Sequence, residues 1–303
     1  MDRARLLSDL HSPGVAPFRL RASFSFVGAA FATVEGTYTE VWVSTSRWRK
    51  EIAIKDEKRI EVGGLRKRWI LETSNFPEIG ARIPGILFPF TPDTSALEFV
   101  SVSEQPLSGL TAECAFTKPD SRLQLHSAFC FDKRSGVLVQ KAVPQVRLRN
   151  IVSNDCEYGS FLRFGGHSVP HEVACFEDRH RKLDAKLIEL SSEPSPELGL
   201  FTPPPGSIEL GQCPVKMEPP RAVHSPSPQW PQISRDQSSQ VLVSLVVDEK
   251  GKPRNVKVEN SAGTRVDRAA VSAVSGWQFK PATCEGEPMS TMLNVQVDFR
   301  LYQ

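Results

Sequence analysis

Leu293-Asn294-Val295-Gln296-Val297-Asp298-Phe299-Arg300-Leu301 alternates five apolar with four polar residues and never misses a step. Successive side chains of a strand point to opposite faces, so this run predicts a strand with one buried and one solvated face. Just upstream the apolar period changes. Val266, Ala269, Ala270, Ala273, Val274 and Trp277 recur at helical spacing, which predicts a helix over residues 264–275. Gly276 suits its C-terminal end. Residues 240–247 and 255–259 read as strands joined by the turn Asp248-Glu249-Lys250-Gly251. Residues 235–303 thus carry the order β-β-α-β.

Further upstream the chain is a different material. Eleven of the 24 prolines fall within residues 191–234, including Pro203-Pro204-Pro205 and Pro219-Pro220. Proline fixes φ and donates no hydrogen bond, so this segment is predicted to be a semi-extended linker and not a sheet interior or long helix. Residues 17–190 read mostly as short strands, at 18–26, 37–44, 47–54, 67–73, 109–116, 122–131, 138–141, 147–158, 170–176 and 182–190. Turn residues separate them, among them Gly63-Gly64, Lys118-Pro119-Asp120-Ser121 and Gly165-Gly166. This pattern predicts an antiparallel sandwich, barrel or half-barrel. One short helix is predicted at 77–88, interrupted by Pro84 and Gly85.

The 303 residues suggest about two domains, and 40% hydrophobic with 24% charged residues is ordinary for a chain that buries a core. Residues 1–190 carry 26 Lys+Arg against 23 Asp+Glu, and residues 191–303 carry 11 against 12. That balance argues against nucleic acid as a partner, which requires clustered positive charge. No apolar run approaches the ~20 residues that span a bilayer. Residues 1–8 are charged and lack an apolar core, so an export segment or anchor is not expected within this sequence.

Six cysteines, Cys114, Cys130, Cys156, Cys175, Cys213 and Cys284, include no CxxC pair, which weakens zinc and thioredoxin-like readings. They favour an exported protein. Gly165-Gly166 is a two-residue hairpin signal. Facing residues of that hairpin have numbers summing to 331, and 156 + 175 = 331. Cys156 and Cys175 would then face each other at a Cα separation of about 4.5–5.5 Å, which a disulfide spans. The alternative is two buried thiols. Cys213–Cys284 is the second expected bridge. Cys114–Cys130 is the third, although a turn centred on Pro119-Asp120 sets Cys114 opposite Leu125, so this pair needs a longer loop.

Residues 241–299 resemble the C-terminal domain of TonB-type energy transducers. The resemblance is carried by Val-Asp-Glu-Lys-Gly at 247–251, Asn-Val-Lys-Val-Glu-Asn-Ser-Ala-Gly at 255–263 and Val-Asp-Arg-Ala-Ala-Val-Ser-Ala-Val at 266–274. Trp-Gln-Phe-Lys-Pro-Ala at 277–282, Gly-Glu-Pro at 286–288 and the alternating last strand complete it. Trp230-Pro231 stands where that family usually has Tyr-Pro. The resemblance implies that the last strand lies at an open sheet edge and pairs with an extended segment of an outer-membrane receptor, with Asn294, Val295, Gln296, Val297 and Asp298 as the contact. The alternative is an edge that is protected or self-paired.

Residues 17–190 are similar in strand pattern to the LolA/LolB lipoprotein carriers, an antiparallel half-barrel closed by helices. The similarity rests on Phe-Arg-Leu-Arg-Ala-Ser-Phe at 18–24, Gly-Thr-Tyr-Thr-Glu at 36–40, residues 42–51 and Pro170-His171. It implies an apolar cavity, for which Phe24, Phe26, Trp42, Trp48 and Trp69 are candidates; equally, those aromatics fill a core.

No enzyme motif is present: GxSxG, GxxxxGK[ST], GxGxxG and HExxH are all absent. His167 and His171 are four apart, but Pro170 excludes a shared helix face, so no metal is expected. Arg47-Trp48-Arg49-Lys50 and Arg66-Lys67-Arg68-Trp69 interleave cations with aromatics, yet nearby acids neutralise them.

The expected fold class is α+β, mainly β: an antiparallel half-barrel-like N-terminal domain and a small β-β-α-β TonB-like C-terminal domain. The expected boundaries are an N-terminal segment 1–16, a LolA-like domain 17–190, a linker 191–234 and a TonB-like domain 235–303. The expected function is protein–protein coupling in envelope transport, without catalysis, catalytic residues, metal or cofactor. Its partners would be an outer-membrane receptor segment and inner-membrane motor proteins, and its location the periplasm or cell envelope. The alternative is a carrier or sensor of lipid or lipoprotein.

Overall fold

A computed structural model describes residues 2–12, 14–28, 32–73, 76–90, 97–107, 109–119, 125–147, 150–213, 217–229 and 239–299. They form two compact units, Met1–Gly63 with Leu71–Gly206, and Gly64–Ile70 with Ser207–Gln303. The first unit starts with helix α1 (Asp2–Ser8) and strands β1 (Phe18–Val27), β2 (Thr33–Ser44), β3 (Arg47–Ile54) and β4 (Glu57–Gly63). Strand β5 (Lys67–Glu72) straddles the division. Helix α2 (Glu78–Leu87) follows, then β6 (Phe99–Leu107), β7 (Leu110–Thr117), β8 (Ala128–Asp132), β9 (Leu138–Arg147) and β10 (Asn150–Gly159). The unit continues with β11 (Leu162–Phe164), β12 (His167–Val169), β13 (Glu172–Glu177) and β14 (His180–Ser192).

The first unit's sheet runs β4-β3-β2-β1-β14-β13-β10-β9-β8-β7-β6, is antiparallel throughout, and does not close into a barrel. Strand β1 shows why one face holds the core. Phe18, Leu20, Ala22, Phe24 and Phe26 are buried, while the residues between them are exposed or half-buried. Tyr38 and Trp42 of β2 and Leu183, Ala185 and Leu187 of β14 join them. Leu10, beyond α1, and Ile83 and Leu87 of α2 pack onto the same cluster. Helix α2 keeps its course through Pro84, whose carbonyl accepts the Phe88 N–H and ends the helix.

Four strands of the first unit have no counterpart in the sequence reading: β4, β6 and the three-residue β11 and β12 on either side of the Gly165-Gly166 turn. Strand β4 alternates in its second half, with Ile60 and Val62 buried, but Arg59 and Glu61 disguise it as a charged loop. Strand β6 is exposed on both faces from Val100 to Pro106, so it carries no alternation to detect.

Gly165 and Gly166 have φ of 54° and 85°, as a type I′ hairpin turn requires. Phe164 pairs with His167 beside that turn, and Cys156 with Cys175 further out. Both pairs sum to 331. Cys156–Cys175 is a disulfide with a Cα separation of 4.1 Å. Cys114 pairs with Cys130 in β7 and β8 and is bridged to it. The hairpin is thus centred near residue 122 and not on Pro119-Asp120, and Cys114 does not face Leu125. The predicted strand at 122–131 begins only at Ala128; residues 120–124 lie outside the described residues.

The second unit contains β15 (Ile208–Gly211), β16 (Arg221–His224), β17 (Ser239–Val247), β18 (Pro253–Asn260), α3 (Thr264–Ser275), β19 (Gln278–Lys280), β20 (Ala282–Cys284), β21 (Glu287–Met289) and β22 (Thr291–Phe299). Between the helix and the last strand stand three short strands that the simple order β-β-α-β does not include. Within the stretch read as linker, residues 191 and 192 complete β14, Leu198–Phe201 forms a 3-10 turn, and β15 and β16 are four-residue strands at sheet margins. Trp230, Pro231 and residues 232–238 lie outside the described residues.

Candidate functional site

The three-stranded sheet of the second unit has the order β18-β17-β22. Strand β17 is central, and its Val241, Val243, Leu245 and Val247 are buried against Val266, Ala270 and Val274 of α3. Small Ala270 lets the helix sit close on the sheet. The β17–β18 turn is fixed by Asp248, whose Oδ1 accepts the N–H groups of Lys250 and Lys252, both at 2.9 Å, and whose Oδ2 accepts from Arg254 Nε at 2.7 Å. Burial raises the Asp248 carboxyl, but these hydrogen bonds prevail and hold it below the usual range. Gly251, at φ 75°, completes the turn; a Cβ there would lie 1.9 Å from the Phe279 carbonyl oxygen.

Strand β22 pairs with β17 without a register shift from Ser239↔Phe299 to Val247↔Thr291. On its other side no strand is paired among the described residues. Val297 and Phe299 are buried, Leu293 and Val295 half-buried, and Asn294, Gln296 and Asp298 exposed. Gln296 donates to Asp298 Oδ1 at 2.9 Å. The structure therefore brings Asn294, Val295, Gln296, Val297 and Asp298 onto one straight margin of the sheet. Arg300 and Leu301 lie outside the described residues.

The five candidate cavity aromatics do not form one site. Phe24, Phe26 and Trp42 are buried in the aromatic core, with Trp48 packed against it, and Phe18 stacks on Trp42 at 5.6 Å between ring centroids. Trp69 belongs to the other unit, where its Nε1 donates to Glu209 at 3.1 Å. A cavity of about 1030 Å³ does exist in the first unit, but of the five only Phe24 borders it. Its lining includes Ser23, Ser25, Asp184 and Lys186, which alternate with core residues and so point to the opposite face of the sheet. Leu107, Leu110, Val139 and Val173 are among its apolar residues. The polar residues between the aromatics of β1 were the available signal.

The basic–aromatic runs are neutralised. Lys67 pairs with Glu209, Arg66 with Glu285 and Arg49 with Glu51. Lys50 lies 5.0 Å from the Trp48 ring centroid and 3.6 Å from Glu40.

Sequence reasoning gave no role to Glu40, which is 1% exposed. Its carboxylate accepts from Tyr38 Oη at 2.7 Å and lies 2.9 Å from His11 Nε2. Burial by itself raises this carboxyl; Lys50, His11 and the Tyr38 hydroxyl outweigh that and hold it down at about 2. Burial, reinforced by Glu40, raises Tyr38 well above its ordinary value. The cluster ties the segment after α1 to β2 and β3.

Comparison with known proteins agrees with the geometry of the second unit. The family described as Gram-negative bacterial TonB protein C-terminal matches residues 226–301. The protein TonB2 of Pseudomonas aeruginosa is 33% identical over 82 residues, covering 26% of this chain and 30% of that protein. The chain thus spans less than a third of that relative's length. Two solved structures are similar to 66% of this chain, each over 94% of its own length. One is a putative outer membrane lipoprotein-sorting protein domain from Vibrio parahaemolyticus, at 10% identity and TM-score 0.44. The other is a LolA superfamily protein from Nitrosomonas europaea, at 8% identity and TM-score 0.43. No helix among the described residues is long and apolar enough to cross a membrane. The match at residues 226–301 falls on the part of the chain whose helix packs on a three-stranded sheet.

Proposed function

We propose that this protein is a TonB-like coupling module of the cell envelope, whose C-terminal domain binds an extended segment of an outer-membrane receptor by adding it to β22. One observation carries the reading: β22 is a sheet margin paired with β17 on one side only, in unbroken register. An added strand would take its affinity from main-chain hydrogen bonds and its selectivity from side chains on either face. Asn294 and Gln296 flank the strand on the solvated face, and half-buried Leu293 and Val295 offer apolar contact on the other. Location in the periplasm, and coupling to an inner-membrane motor, follow from this reading. So does the absence of catalysis, since recognition of an extended peptide needs none.

The test is titration of the full chain, isotopically labelled, with extended peptides derived from the receptors' periplasmic segments. Amide shifts concentrated in β22, with β17 and β18 following weakly, support strand addition. Shifts confined to the first unit, or none, overturn it.

A second reading is favoured by the cavity of about 1030 Å³ in the first unit, a volume at the upper end for a small-molecule site. It is that of a carrier or sensor of lipid or lipoprotein. Binding of a fluorescent fatty acyl probe, abolished by Leu107→Arg, supports it; unchanged binding in that variant removes the cavity from consideration.

A further inference from the structure

A second sheet margin in the TonB-like unit is already covered by the chain itself. Strand β16 lies antiparallel to β19, with Arg221↔Lys280, Ala222↔Phe279 and His224↔Gln278 as partners. Earlier in the strap, Glu218 and Thr283 exchange two main-chain hydrogen bonds, of 2.9 and 3.1 Å. Later, the Pro226 carbonyl accepts from Trp277 Nε1 at 3.1 Å. Residues 217–226 thus run along residues 277–283 as an added strand.

The two ends of this strap are held differently. Met217 packs on Ala282, Cys284 and Met289, and Cys213 is bridged to Cys284. Residues 221–226 are all exposed. No side chain of β16 is buried, so main-chain pairing and the Trp277 hydrogen bond hold this half. That is the energetic make-up of a bound extended peptide and not of a core strand. Pro219-Pro220 and Pro226 bracket the paired stretch and hold it extended, which lowers the entropy lost on docking.

We infer that the exposed edge of β19 is an extended-peptide site which the chain fills in cis with its own residues 221–226, and that the Cys213–Cys284 bridge keeps it filled. Tethering gives a strap of this kind an effective concentration in about the millimolar range, so an untethered peptide competes poorly while the tether is short. Without the bridge the strap keeps the Gly211 N–H bond to the Ser290 carbonyl oxygen and the Glu218–Thr283 pair, but loses its covalent hold, and the site opens to a second extended peptide. This site is separate from β22 and does not depend on the receptor reading.

The experiment uses the full chain as wild type, as Cys213→Ser/Cys284→Ser and as Trp277→Phe, with a fluorescent synthetic peptide of residues 217–229 as the probe. In the double variant the amides of 221–224 are expected to exchange at least tenfold faster, and the peptide to bind at least tenfold more tightly than to wild type. Bound peptide should restore protection to the amides of Gln278–Lys280. Trp277→Phe leaves the bridge intact and should raise strap exchange several-fold, so the inference stays testable if the double variant misfolds. Strap protection that is the same in all three proteins, with no peptide bound by any, shows the strap to be a fixed part of the fold and overturns the inference. Peptide binding that shifts β22 and leaves Gln278–Lys280 unmoved overturns it as well.

Discussion

The two units use β-structure in opposite ways. In the first, side chains carry the structure: Phe18, Phe24, Tyr38 and Trp42 fill one face of a broad sheet, and helices cover them. In the second, the core is smaller, with valines and one leucine beside Phe279 and Phe299, and the margins of the sheet stand out. Even its two margins differ. Strand β22 keeps register with β17 through nine consecutive pairs. Strand β18 slips register twice against the same partner and holds Asn255 at a positive φ. Bulged, twisted margins resist strand addition, and straight ones invite it. On the proposed reading, the difference assigns each region its own readout: stability to the first unit, and peptide affinity at β22 to the second.

The largest expected effect falls on the aromatic core. Trp42→Ala should destabilise the first unit by about 3–5 kcal/mol, through lost burial and the cavity left against Phe18. Denaturant unfolding followed by Trp and Tyr signals would report it, while receptor-peptide affinity at β22 should stay within twofold. A parallel loss of affinity would break the contrast between the units.

Next comes the backbone of β22. Proline at whichever of Val295 and Gln296 has the outward, rapidly exchanging N–H should weaken peptide binding by about 3 kcal/mol, over a hundredfold, by removing a ladder donor and clashing with the added strand. Proline at Lys257 in β18 should change it less than twofold. Equal losses at the two margins would mean that regularity of register does not select the binding edge. Circular dichroism of each variant separates a lost site from a lost fold.

These contrasts also explain what could be read from the chain. The alternation of residues 293–299 and the helical spacing of Val266, Ala270 and Val274 were legible because each element has one buried and one wet face. The pairing of Cys156 with Cys175 was legible because two glycines fixed both the turn and the register. Strand β6 was not, since exposure on both faces leaves no period. The cavity was not legible in the five aromatics, which mark burial, because much of its lining comes from serines and charged residues of several strands, such as Ser25, Glu157 and Asp184. His11 and Glu40, 29 residues apart, meet only through the tertiary fold, so no local pattern announces them.

The Glu40 cluster makes the stability of the first unit depend on pH. Its folded carboxyl is depressed from 4.5 to about 2, so it contributes stability that is present above about pH 4.5 and lost as pH falls towards 2. The shift corresponds to about 3 kcal/mol at most, because one pKa unit is about 1.4 kcal/mol. Acid titration of the first unit's unfolding free energy should show this loss, and Glu40→Gln should flatten it over the same window. An unchanged slope in Glu40→Gln would place the acid sensitivity elsewhere.

The smallest expected effect is at the side chains of the binding margin. If main-chain pairing supplies the affinity at β22, Asn294→Ala should cost about 1 kcal/mol or less, the worth of one side-chain hydrogen bond. Gln296→Ala removes the 2.9 Å bond to Asp298, which is exposed and competes with water, so its cost falls in the same range. Calorimetric titration with one receptor peptide would measure both. The ratio between the proline effect and the alanine effects is the informative quantity. A ratio of fold-changes of about thirty or more means that the strand is read through its backbone, and that many sequences with an extended segment are accepted. An alanine effect approaching the proline effect would mean that Asn294 or Gln296 reads a particular partner residue, and strand addition would then be the frame for recognition and not its source.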